Sequence, residues 1–124
     1  MSRTIVIADD SLVISRQLAK VVEGFGEYQV VGQAKNGAEA IKLFQSLKPD
    51  AVLMDINMPL MDGLQSLRTI LRLDAKARVV MISSLGGVGD KVQEAMKLGA
   101  RNVISKPFEP DRIRTVLESL FTQG

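Results

Sequence analysis

The sequence predicts a doubly wound α/β domain, with a five-stranded parallel sheet in the order 2-1-3-4-5 and helices on both faces. Three observations carry this. Short β-rich apolar runs alternate five times with longer runs of helical period, which makes five βα units joined by short right-handed crossovers. The second apolar run, Tyr28-Gln-Val-Val-Gly-Gln-Ala, is more polar than the third or fourth and suits a sheet edge. At 124 residues the chain is long enough for one core and too short for two.

The elements follow in order. Arg3 to Ala8 is the first strand and runs into Asp9-Asp10. Ser11 can cap the first helix, whose stripe is Leu12, Ser15, Leu18, Ala19 and Val22, and Gly24-Phe25-Gly26 is its stop. Tyr28 to Ala34 is the second strand, followed by a helical stripe of Ala40, Ile41, Phe44 and Leu47. Ala51 to Met54 is the third strand and ends in Asp55. Asp62 stands before the third helix, marked by Leu64, Leu67, Ile70 and Leu71. Arg78 to Ile82 forms the fourth strand and runs into Ser83-Ser84. Gly86-Gly87-Val88-Gly89 reads as a mobile connection to a fourth helix with Val92, Ala95, Met96 and Leu98 on one side. Asn102 to Ser105 is the fifth strand and runs into Lys106-Pro107. Pro110 is placed to open the last helix, with Ile113, Val116, Leu117 and Leu120 facing inward. The expectation is one domain over residues 1–124 with no attached output domain.

Composition narrows the function classes. Apolar residues make up 46% and charged residues 24%, an ordinary globular balance. No run approaches a membrane span and the N-terminus lacks a signal-peptide pattern, so the expected compartment is the cytoplasm. The absence of Cys agrees with that compartment but decides little. There is no His, which removes serine–histidine triads, histidine metal sites and a phosphohistidine-carrier role. The net charge of +2 is spread along the chain without a basic cluster or nucleic-acid motif, so direct nucleic-acid binding is not expected.

In a parallel sheet the carboxyl ends of the strands share an edge, and the order 2-1-3-4-5 places the topological switch between strands one and three. Asp9, Asp10 and Asp55 would meet there, with Ser83 and Lys106 arriving from strands four and five. Unit charges about 4 Å apart near a surface repel by roughly 4 kcal/mol at an effective dielectric of ~20. Three carboxylates therefore call for a compensating cation, and oxygen-only ligands favour Mg²⁺. The assignment is Asp10, Asp55 and the backbone carbonyl of Asn57 as direct ligands, with Asp9 acting through water. Asp55, at the centre, is the natural nucleophile toward phosphorus. Of the three equatorial phosphoryl oxygens, Mg²⁺ would cover one, Lys106 another, and Ser83 with backbone N–H groups the third.

Each residue alone has a plainer reading: a turn-forming Asp, a solvated Lys, a loop Ser. Their arrival together at one edge argues for a site. Other motifs fail. Gly86-Gly87-Val88-Gly89 lacks the Gly-Lys-Ser/Thr ending of a phosphate-binding loop, and Gly24-Phe25-Gly26 does not continue as a dinucleotide fingerprint. The methionines at 54, 58, 61, 81 and 96 read as core and loop packing.

Five signatures make the chain resemble a response-regulator receiver domain of two-component signalling, of the flavodoxin-like (βα)5 class, over essentially its whole length. They are Ile7-Ala8-Asp9-Asp10-Ser11, Leu53-Met54-Asp55-Ile56-Asn57-Met58-Pro59, Met61-Asp62-Gly63, Leu98-Gly99-Ala100 and Lys106-Pro107-Phe108. The resemblance implies Mg²⁺-dependent phosphorylation of Asp55 by a partner histidine kinase, a phosphotransfer protein or a small phosphodonor. Hydrolysis at the same site would follow. It also implies a cis Lys106-Pro107 bond, which proline makes less costly. Ser83 would move toward the phosphate and repack the face made of the fourth helix, fifth strand and fifth helix. A downstream protein that prefers the repacked face would read the signal; chemotaxis or motility is the expected setting, with a monomer or a phosphorylation-dependent dimer as the working form.

Two features depart from the family pattern. Receivers commonly carry Tyr or Phe three residues before the lysine, where this chain has Val103. Counting from Asp55 favours Ser83 as the switch hydroxyl, while counting back from Lys106 favours Ser84; Ser83 is preferred because it directly follows the apolar strand. Ser83-Ser84-Leu85-Gly86 also resembles the receivers of chemotaxis methylesterases. The alternative reading is an interaction module that works without phosphorylation. A haloacid-dehalogenase-type phosphatase would need a second Asp where the chain has Asn57.

Overall fold

The structure is a computed structural model that describes residues 2–84 and 90–122. Strands and helices alternate: β1 (Arg3–Ala8), α1 (Leu12–Gly24), β2 (Tyr28–Ala34), α2 (Gly37–Leu47), β3 (Ala51–Asp55), α3 (Gly63–Leu73), β4 (Val79–Ser84), α4 (Asp90–Leu98), β5 (Asn102–Lys106) and α5 (Pro110–Thr122). All four ladders are parallel and the order is β2-β1-β3-β4-β5, as expected. The polar second strand is an edge: five of the seven β2 residues are half-buried or exposed, whereas β3 is buried along its whole length.

Alternation of side chains across the sheet builds two apolar layers. On one face Ile5, Ile7, Leu53, Val80, Ile82 and Ile104 pack against Leu18 and Val22 of α1 and Ile113 and Leu117 of α5. On the other, Val6, Ala8, Val52, Met54, Val79 and Met81 pack against Ala40 of α2, Leu67 and Ile70 of α3 and Ala95 of α4. Burying one Leu or Ile is worth about 1.5–3 kcal/mol. A one-residue slip of a central strand would put its side chains on the wrong face, so packing locks the register. The register in turn sets where each strand end delivers its polar residue.

Local signals place the helices. Ser11 Oγ accepts the Ile14 N–H (3.3 Å) and Asp62 Oδ1 accepts the Gln65 N–H (3.0 Å), as predicted caps do, and Asn36 Oδ1 caps α2 through Glu39 (2.8 Å). Pro110 is the first residue of α5, and α1 stops at Gly24, with Gly26 in the left-handed region. At the sheet edge away from the strand carboxyl ends, Phe121 lies under the guanidinium groups of Arg3 (4.4 Å) and Arg78 (5.2 Å), which pins the end of α5.

Several expectations need correction. β3, β4 and β5 run one or two residues further than predicted, so Asp55, Ser83, Ser84 and Lys106 are strand residues rather than loop residues. Ladder hydrogen bonding continues past the apolar run because neighbouring strands still flank it. Leu12 is 51% exposed, Leu47 42% and Met96 45%, although each was placed on an inward stripe. Leu12 and Leu47 occupy terminal turns at the ends of their helices. Met96 follows Ala95, which is the buried residue of α4. Met54, Met58 and Met81 are core residues as expected. The predicted mobile stretch Gly86 to Gly89 lies outside the described residues.

Candidate functional site

The carboxyl ends of β1, β3 and β5 deliver Asp9, Asp55 and Lys106 to one place. In strand alternation these continue the series of Ile7, Leu53 and Ile104, so all three belong to the α1/α5 face. Asp9 is buried; its backbone N–H donates to Ala34 O (3.0 Å), and its Oδ1 accepts the Ser11 N–H (2.8 Å). Asp55 is 5% exposed. Its Oδ1 accepts the Asn57 N–H at 3.1 Å and its Oδ2 accepts from Lys106 Nζ at 3.1 Å. The same ammonium lies 3.0 Å from Asp9 Oδ2. That approach lacks hydrogen-bond alignment, which leaves Asp9 Oδ2 a buried oxygen with an ion pair and no hydrogen bond. Asp10 is exposed at the rim, and one carboxylate oxygen from each of Asp9, Asp10 and Asp55 falls within 4.8 Å of the others.

The backbone behind Asp55 is clamped. A Cβ on Gly63 would stand 2.2 Å from the Asp55 carbonyl oxygen, and the Gly63 N–H donates to Ile56 O at 2.8 Å. Only glycine permits that approach. Gly37, where a Cβ would meet Met61 O at 2.5 Å, donates its N–H to the same oxygen, and the buried Ser66 hydroxyl donates to Gly37 O. Asp55 therefore closes β3 just before a backbone packed tightly against Gly63.

Burial pushes the Asp55 carboxyl above the usual carboxylate range; the hydrogen bonds from Lys106 and Asn57 oppose this without cancelling it, and the Asp9 charge adds to it. Burial alone would lower Lys106, but its contacts with Asp9 and Asp55 outweigh that and raise it. Three carboxylates and one ammonium leave two negative charges. That balance and the all-oxygen donor set fit a hard divalent cation such as Mg²⁺.

Ser83 and Ser84 fall on opposite faces of the same strand end. The buried Ser83 hydroxyl donates to Ser84 O at 3.2 Å, and Ser83 shares the alternation of Met81, hence the face that carries α3 and α4. Half-buried Val103, in register with Met81, packs on that same face. Ser84, exposed and in register with Lys106, has the alternation of the carboxylate face. Lys106-Pro107 is cis. One contact was not foreseen: Lys91 Nζ of α4 donates to Asn57 Oδ1 at 3.2 Å. A single Lys on an exposed helical position gives no signal in the sequence. A surface pocket of about 460 Å³, bordered by Phe44, Lys48, Pro49 and Leu73, contains none of these strand-end residues.

Known proteins resemble this chain over most of its length. The family model of the response regulator receiver domain matches residues 5–118. The chain is 40% identical over 114 residues to the chemotaxis protein CheY of Listeria monocytogenes, covering 92% of this chain and 94% of that protein. It is 37% identical to CheY of Thermotoga maritima, covering 97% and 98%. Among solved structures it is similar to a CheX–CheY–BeF3–Mg complex from Borrelia burgdorferi, with a TM-score of 0.89, 31% identity and coverage of 96% and 89%.

Proposed function

Since the chain belongs to the response-regulator receiver family of two-component signalling, we propose that Asp55 is its phosphoacceptor and that partner binding through the α4-β5-α5 face is its output. One observation carries this: a buried Asp55 at the centre of the sheet edge, held by Lys106 and flanked by two further carboxylates. The phosphodonor is a histidine kinase or a phosphotransfer protein. An Asp55 carboxylate oxygen bonds to phosphorus as the P–N bond of the donor phosphohistidine breaks; the imidazole leaves with the electron pair and takes up a proton. Reset is hydrolysis: water attacks phosphorus, the acyl C–O–P linkage breaks at phosphorus, and phosphate and a proton leave.

This chain's residues do most of that work by position. The Asn57 N–H on Oδ1 orients the carboxylate, and Lys106 on Oδ2 is placed to follow the charge onto the phosphoryl oxygens. Asp9, Asp10, Asp55 and the Asn57 carbonyl would hold Mg²⁺, which when bound neutralises phosphoryl charge. Ser83 is the hydroxyl assigned to the phosphoryl group, with Ser84 the alternative. The relatives' names support chemotaxis as the setting; the cytoplasm is the compartment proposed from the sequence. No helix among the described residues is long and apolar enough to cross a membrane.

Incubation with acetyl phosphate and Mg²⁺, read by intact mass, tests the reading. A mass gain of one phosphoryl group that disappears in Asp55→Asn is expected. No gain in the wild-type protein would favour a module that binds partners without phosphorylation, a reading to which the aliphatic Val103 lends support.

A further inference from the structure

α4 is the helix that the proposed output face has to move, and the structure seats it lightly. Ala95 is its one fully buried residue among those described, Val92 and Leu98 pack half-buried on the core, and an Arg68–Glu94 ion pair between exposed side chains ties it to α3. Val103 offers no polar atom through which the site could pull on it. Lys91, in the first turn of α4, does. Its ammonium donates to Asn57 Oδ1 at 3.2 Å, and the backbone N–H of that same Asn57 donates to Asp55 Oδ1 at 3.1 Å. One residue therefore separates a cation on α4 from the central carboxylate.

We propose that Lys91 couples α4 to the phosphoryl state of the site, a role that rests on Asp55 being the phosphoacceptor. Before phosphorylation Lys106 occupies Asp55 Oδ2, and Lys91 is left with a neutral amide oxygen. A phosphoryl group on Asp55 adds negative charge and strong acceptor oxygens beside Asn57. The ammonium–amide contact pairs a charge with a dipole, whereas a phosphoryl oxygen offers the same ammonium an opposite full charge and the added Coulomb attraction, so the ammonium transfers from the amide to the phosphoryl oxygens. An open pocket of about 390 Å³, bordered by Ile56, Asn57, Ser83, Ser84 and Lys91, lies between the first turn of α4 and the residues that follow Asp55, so the Lys91 side chain is not packed in place. The first turn of α4 follows its own side chain, and the population of helix positions shifts by the difference between the two contacts. Lys91 is thus a positioning residue, filling the part left open by the aliphatic Val103.

The test compares wild type, Lys91→Met and Lys91→Arg, each treated with acetyl phosphate and Mg²⁺. Intact mass gives the phosphorylated fraction, and hydrogen exchange of peptides covering residues 90–98 gives the response of α4. At matched phosphorylated fractions, the wild-type change in exchange is expected to fall at least threefold in Lys91→Met and to recover by half or more in Lys91→Arg. A wild-type response in Lys91→Met overturns the coupling and leaves the phosphoacceptor reading standing. A response lost equally in Lys91→Arg also overturns it, since a retained cation is then irrelevant. Absence of any mass gain in the wild type overturns the phosphoacceptor reading, and the coupling with it.

Discussion

Replacing Asp55 by Asn should make the protein more stable whenever divalent cations are removed. The carboxylate oxygens of Asp9, Asp10 and Asp55 lie within 4.8 Å of one another, a separation at which two unit charges repel by roughly 3.5 kcal/mol at an effective dielectric of ~20. Lys106, 3.1 Å from Asp55 Oδ2, returns roughly 5 kcal/mol on the same scale. Asp10 is exposed, so solvent screens much of its share. Repulsion and attraction then nearly cancel, and the burial of an ionised group tips the balance. The net gain on neutralising Asp55 is about 1 kcal/mol, or roughly 4 °C in melting temperature for a domain of this size.

The pH dependence has a definite sign. The folded state raises the Asp55 pKa, chiefly through burial, so it holds that proton more tightly than the unfolded chain does. The favourable contribution is complete below the unfolded pKa and is lost as pH rises through the folded one. The advantage of Asp55→Asn should therefore vanish in acid, grow as pH climbs through that window and level off above it. Thermal melts in chelator across this range measure it. Added Mg²⁺ should raise the wild type more than the variant, because a ligand that binds only the folded state stabilises it. Equal or lower melting of Asp55→Asn at neutral pH in chelator, or an advantage that persists unchanged in acid, would refute the electrostatic account.

Other outcomes follow from the same geometry. Lys106→Met leaves Asp9 and Asp55 facing each other and should cost about 1–3 kcal/mol in chelator, with partial rescue by Mg²⁺; wild-type melting would contradict the ion-pair role. Because the folded state raises Lys106, its stabilisation is present below the unfolded amine pKa and is lost as pH rises through the folded one, so the variant should converge on the wild type in alkali. Leu60 is 92% exposed with φ at 68°. The left-handed region costs an L-residue roughly 1–2 kcal/mol and Asn tolerates it better, so Leu60→Asn should raise stability by about 0.5–1 kcal/mol; unchanged melting would count against backbone strain there. Ser84 has the alternation of the carboxylate face, but Ser83 directly follows the apolar run; on that sequence argument Ser83→Ala should slow phosphorylation by acetyl phosphate more than Ser84→Ala does, and the reverse ranking would move the hydroxyl role to Ser84.

Much of the site was legible before folding. Asp9, Asp10, Asp55 and Lys106 each follow or close a short apolar run, and a parallel sheet brings such run ends to one edge whatever the details of packing. The two serines were harder. A one-residue choice between Ser83 and Ser84 is a choice between sheet faces, and periodicity in an apolar run buried on both sides does not distinguish them. The Lys91–Asn57 bond was invisible for a different reason. It spans 34 residues of chain and joins two exposed polar side chains, and neither leaves a pattern in its own neighbourhood.

By itself, then, the order of apolar and polar residues determined the five βα units, the edge position of the second strand and the identity of the acidic residues. These depend on local periodicity and on chain connectivity, both of which are written along the sequence. Only the tertiary structure decided that Lys106 bridges Asp9 and Asp55, that Asp9 Oδ2 is left without a hydrogen bond, and that Leu12, Leu47 and Met96 face outward. Those outcomes depend on how far each strand end and helix end projects past its neighbours, a matter of ångströms set by packing of the two apolar layers against one sheet.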